Sequence, residues 1–170
     1  MKKYLFVLAF LAISIANAQQ DTPISAFLEK WENSKNYLVK MAELMPEDKY
    51  SYKPTARQDT FRELLLHIKQ NMDWLSTSYF LKDKKKDQKK ETYTTKAEVI
   101  AAIKEAFDNT SAIIKTASPE ELKEVVKFFA GPKTKLQILN LLQDHVTHHR
   151  GQLVVYLNLN DIKPPRYVGW

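Results

Sequence analysis

Proline and glycine interrupt regular structure, and this chain keeps both out of long stretches. It has three glycines and seven prolines in 170 residues, and the prolines fall between segments whose apolar residues recur at helical spacing. So turn-poor a sequence cannot supply the many connections that a set of short strands needs. It predicts a few long helices.

Local signals mark where each helix begins. Asp21 or Thr22 can cap the first, with Pro23 in the opening turn, where a missing N–H does no harm. Ile24, Phe27, Leu28, Trp31, Leu38, Met41, Leu44 and Met45 then recur at helical spacing, and Pro46 ends the run. "TFRE", Thr60 to Glu63, is a capping box in which the threonine oxygen and the glutamate side chain satisfy free backbone amides. It opens a second helix to about Leu81, with Phe61, Leu64, Leu65, Ile68, Met72, Leu75 and Tyr79 on the core face. "TKAE", Thr95 to Glu98, opens a third that carries Val99, Ile100, Ile103, Phe107, Ile113 and Ile114. "TKLQ", from Thr134, opens a fourth that runs to about Leu159, before "NDIKPPRYVGW" and its paired prolines. Between the elements, "PEDKYSYKPTARQ" lacks a sustained period and reads as a connection laid over the bundle. "SPEE", Ser118 to Glu121, starts a short extra turn, and "VVKFFAGPK" reads either as a fraying helix or as an extended crossover. Four long helices with apolar stripes make the expected fold class all-α, a four-helix bundle.

The chain opens "MKKYLFVLAFLAISIANAQQ". Two lysines, an apolar stretch and Ala16-Asn17-Ala18 form the pattern of a secretory signal peptide over residues 1–18, too short to stay as a bilayer span. Residues 19–170 are then expected to form a single domain, exported to the periplasm or the extracellular space with no stable membrane anchor. No cysteine is present, which excludes a disulfide framework, a thiol nucleophile and a lipid anchor, and leaves the core alone to hold the fold. The formal charge of +6 includes Lys2 and Lys3, which leave with the leader. Much of the remainder sits in "KDKKKDQKKE", Lys82 to Glu91, where six lysines oppose three acids. Without interleaved aromatics this run reads as a solvated loop, and outside the cytoplasm no nucleic-acid partner is expected.

Three of the four histidines lie in "DHVTHHRGQ", Asp144 to Gln152. Positions four apart on a helix point within about 40° of one another, so His145 and His149 share a face with Ile138, Leu142 and Tyr156 and look inward. His148 falls at the edge of that arc. A buried imidazole must bond or ligate, and two of them one turn apart suit a metal in a bundle core or a pair of satisfied core histidines equally well. The fourth, His67 in "LLLHIKQN", flanks the apolar stripe of the second helix. It joins the other two if helices two and four are neighbours, and otherwise is a partly exposed histidine bonded to a neighbour.

"YSYKPTARQDTFRELLLHIKQN", "DHVTHHRGQLVVYLNLNDIKPPRY" and the distance between them resemble the DinB superfamily of bacterial four-helix bundles. The resemblance covers nearly all of the chain after the leader. It implies an up-down-down-up connection of the helices and a divalent metal held near one end of the bundle by His67, His145 and His149. His148 occupies a position not carried over as a ligand. The export signal departs from what is usual in such proteins.

Three neutral imidazoles leave coordination positions open to water or substrate and suit zinc, nickel or iron. The expectation is a metal-dependent hydrolase acting on a small molecule. The alternatives are a transferase or isomerase that activates a low-molecular-weight thiol, as relatives imply, or a metal-binding protein without catalysis; a homodimer is also compatible with the family. Glu63 lies one turn before His67, but its capping role accounts for it. Asp144 points about 100° away from His145. Asn71, Trp74, Gln152 and Tyr156 share the ligands' sector and either line a pocket or pack. Arg150 and Gly151 read as structural, the glycine permitting close helix contact.

Overall fold

The computed structural model describes residues 22–82 and 92–169. The expected leader and nearly all of the lysine-rich run lie outside the described residues. Four helices dominate: α1 (Pro23–Leu44), α2 (Phe61–Tyr79), α3 (Lys96–Ile114) and α4 (Lys135–Asn158). Each starts on a threonine whose side chain accepts from the amide three residues on while that third residue's side chain caps in return. For α1 the partner is Ser25, so Thr22 is the cap.

Side-chain pairs fix the helix directions. Lys96, at the start of α3, donates from Nζ to the carbonyls of Glu43 and Met45 at the end of α1, at 2.7 and 2.8 Å. Asp108 pairs with Lys35 further back along α1, so α1 and α3 are antiparallel. Gln143 of α4 donates to Ser34 of α1 at 3.0 Å, and Arg150 lies 4.7 Å over the ring of Tyr37; these two helices run the same way. α4 is antiparallel to α2, because Lys135 lies by Phe80 at one end and Tyr156 reaches Asp59 at the other. The bundle is therefore connected up-down-down-up, with α1 and α2 each packed between α3 and α4.

The core runs the length of the bundle. Trp31 is fully buried between Phe27 and Phe107, and its indole N–H donates to the Phe107 carbonyl at 3.2 Å. The expected core residues of α2 are buried, except Tyr79 at its edge. Leu44, by contrast, is exposed, because α1 ends there and Met45 turns inward instead. The connection after α1 does lie over the bundle: after a 3-10 turn at Glu47–Lys49, Tyr50 is buried and donates to the Ala42 carbonyl at 2.7 Å.

Between α3 and α4, Glu121–Lys123 forms the extra turn. "VVKFFAGPK" is neither a frayed helix nor a crossover. β1 (Val125–Val126) pairs antiparallel with β2 (Lys133–Thr134), Val125 opposite Thr134. Gly131 turns the chain with φ +92°, a conformation that other residues rarely adopt. Among the described residues no helix is long and apolar enough to cross a membrane.

Candidate metal centre

α2 and α4 bring together three imidazoles that are far apart in sequence. Nε2 of His145 stands 3.1 Å from Nε2 of His67 and 3.2 Å from Nε2 of His149. One ring nitrogen from each of the three falls within 4.8 Å of the others. The helical rotation that aligns His145 with His149 is thus completed by the antiparallel contact that sets His67 opposite them. Among the described residues this is the only group of three or more potential ligands so placed.

The donor set fits a divalent ion. Two nitrogens bound tetrahedrally to one ion, each at about 2.0–2.1 Å, stand about 3.3 Å apart, close to the two separations found. Nδ1 of His149 donates to Oε1 of Gln152 at 2.7 Å, so Nε2 keeps its lone pair and faces the other rings. Protonation is disfavoured here: burial, then the neighbouring His149, His67 and His148, hold the pKa of His145 down to about 4. Burial also lowers that of His149, against the pull of its bond to Gln152. With the proton of each ring on Nδ1, the three Nε2 atoms would present lone pairs to one another, the arrangement a metal ion requires. His67 is exposed, which leaves the centre open to solvent on the α2 side.

The residues around the centre divide by role. His148 is exposed and meets only the edge of His149, at 4.8 Å between ring centres; it stays at the rim, as expected. Glu63 is engaged in its cap, with Oε2 accepting from the Thr60 amide at 2.7 Å, and that bond lowers its pKa. Asp144 is exposed. Gln152 orients His149, and the buried Tyr156 donates to the Asp59 carbonyl at 2.7 Å. Trp74 stacks on Phe128 and Phe129 of the hairpin yet remains 40% exposed, so it both packs and presents a ring face. Arg150 is buried against Tyr37, a structural role. Gly151 does not permit a close helix contact: it faces solvent, and a Cβ there would meet nothing within 4 Å.

One carboxylate near the centre has no helical signal. Asp59 precedes the cap of α2, outside any periodic segment, and the hydroxyl of Tyr156 fixes its carbonyl. Its charge reaches both His149 and Tyr156, raising the tendency of each to hold a proton.

The architecture matches solved bundles. A DinB-like protein from Bacillus cereus ATCC 10987 superposes with a TM-score of 0.72 over 85% of this chain and 97% of its own, at 18% identity. The DinB-like protein YjoA from Bacillus subtilis gives 0.69 over 84% and 97%, at 23% identity. In sequence, the uncharacterized YjoA of Bacillus subtilis strain 168 is 28% identical over 143 residues, 82% of this chain and 89% of that protein. The model of the DinB family matches residues 17–167, and the chain belongs to that family.

Proposed function

We propose that this is an exported metal-dependent hydrolase of a small molecule, with a divalent ion held by His67, His145 and His149. The observation that carries the reading is the convergence of three Nε2 atoms at 3.1 and 3.2 Å on the open side of the bundle. An ion there would supply Lewis acidity, polarising a substrate carbonyl and lowering the pKa of a coordinated water to about 7. Three protein ligands leave room for that water, the arrangement of a catalytic rather than a structural site.

The remaining work falls to residues of the chain. Gln152 holds His149 in the tautomer that ligates. We assign the proton from attacking water to Asp59, the carboxylate whose charge acts on His149, since Glu63 is engaged in its cap and Asp144 is exposed. Tyr156, its pKa raised by burial and by Asp59, stays protonated and keeps the Asp59 backbone in place. The apolar leader supports export.

Metal analysis of the purified protein tests the centre. His67→Ala, His145→Ala and His149→Ala are expected to lose stoichiometric metal, and His148→Ala to keep it; full occupancy in the first three would overturn the assignment. Hydrolysis of ester and amide libraries with and without chelator tests the reaction, and turnover that persists without metal would exclude it.

A further inference from the structure

Five buried side-chain atoms among the described residues have no hydrogen-bond partner; four of them lie on α2 and α4, and two of these four, Nδ1 of His145 and Oδ1 of Asn71, belong to a ligand of the metal centre and to the residue one turn beyond another. Buried polar atoms are almost always paired, so each such orphan calls for an explanation. The two are complementary. An imidazole that ligates through Nε2 carries its proton on Nδ1, which must donate; the amide oxygen can only accept.

Their placement brings them to the same level of the bundle. Asn71 is one turn beyond His67 on α2, rotated by about 40° from it, and α4 runs antiparallel, with Nε2 of His145 already at His67. No hydrogen bond joins the two orphans with the rings as they stand. His149 shows what its neighbour lacks, because its Nδ1 is bonded at 2.7 Å to Gln152. Metal-ligating histidines nearly always donate their second nitrogen to an acceptor that fixes ring and tautomer.

We propose that Asn71 is the positioning residue for His145: on metal binding its Oδ1 accepts the Nδ1–H of His145, as Gln152 does for His149. The inference rests on the metal reading above. It also explains why an amide sits half-buried on a helix face whose neighbours Leu75, Met72 and Ile68 are apolar.

The test is a zinc competition titration on the purified protein, on Asn71→Leu, which keeps the volume and removes the acceptor, and on Asn71→Asp, which restores one. Asn71→Leu is expected to weaken zinc binding by roughly 10–100-fold and Asn71→Asp to recover it, while the melting temperature of metal-free Asn71→Leu is equal to or above that of the parent. In the zinc-loaded parent, nitrogen NMR of the imidazoles should show a hydrogen-bonded Nδ1–H on His145 that Asn71→Leu loses. Parent-like zinc affinity in Asn71→Leu overturns the proposal and leaves the metal centre standing. So does a loss that Asn71→Asp fails to restore and that accompanies a lower metal-free melting temperature, since that marks a packing role. Failure of the parent itself to bind zinc, cobalt or nickel removes the metal reading and this proposal together.

Discussion

Nδ1 of His149 and Oε1 of Gln152 stand 2.7 Å apart, three residues from each other on one helix. The bond settles which nitrogen of His149 carries the proton and therefore which one is free to ligate. Gln152→Leu removes the acceptor without emptying the space. Metal affinity is expected to fall by roughly 10–100-fold, with Gln152→Glu keeping most of it because a carboxylate accepts at least as well. Competition against a chromophoric chelator measures both. An unchanged affinity in Gln152→Leu would show that the ring is held by packing alone.

In the proposed hydrolysis, Asp59 would separate binding from catalysis. Its carboxylate lies outside the three-histidine set and acts on His149 only through its charge. Asp59→Asn is expected to retain metal at full stoichiometry while lowering kcat by roughly 10²–10⁴-fold, the range that a positioned acid–base group contributes. The measurement is turnover on whichever ester or amide the parent hydrolyses, beside metal content. Equal kcat in the two proteins would remove Asp59 from the mechanism.

Acid should weaken the metal-free protein in two stages, and the sign follows from which state holds more protons. The fold depresses the pKa of His145 to about 4, whereas an unfolded histidine titrates near 6.5, roughly. Between these values the unfolded chain binds the extra proton, so stability is full above the upper one and is lost as pH falls toward the lower. Glu121 follows the ordinary carboxylate pattern: its bond to Lys135 lowers its pKa, and its contribution disappears at still lower pH. Melting temperature by circular dichroism, recorded across this range without metal, should decline first through the histidine window. His145→Leu should flatten that first decline and leave the second. A parent whose melting temperature is level from neutrality down to pH about 4 would contradict the neutral imidazole cluster.

These residues show which parts of the molecule a linear reading can reach. Helix starts were legible because a capping box is a contact over three residues: the three boxes read in the sequence form as predicted, and at the first helix, where Asp21 and Thr22 were both candidates, Thr22 caps and pairs with Ser25. The inward pair of His145 and His149 was legible because rotation about a helix is fixed by its pitch; adding His67 required the packing of α2 on α4, which the sequence carries only through family resemblance. The hairpin at Val125–Thr134 was not legible, since two residues per strand give no period and its pairing depends on the backbone of Gly131. Asp59 was missed for a similar reason. Its position is set by Tyr156, 97 residues away, and no local spacing encodes such a contact.

Gly151 offers a check on that boundary between local and distant causes. It lies inside α4 with ordinary helical backbone, faces solvent, and has open space where a Cβ would stand. Nothing in the packing accounts for a glycine at this position, and glycine within a helix is less stable than alanine by roughly 0.5–1 kcal/mol. Gly151→Ala is therefore expected to raise stability by about that amount, or about 3 °C in melting temperature for a chain of this size, with metal content unchanged. Denaturant titration and metal analysis test both parts. A destabilised Gly151→Ala would mean that this face of α4, one turn from His148, is covered in solution by something that a methyl group disturbs.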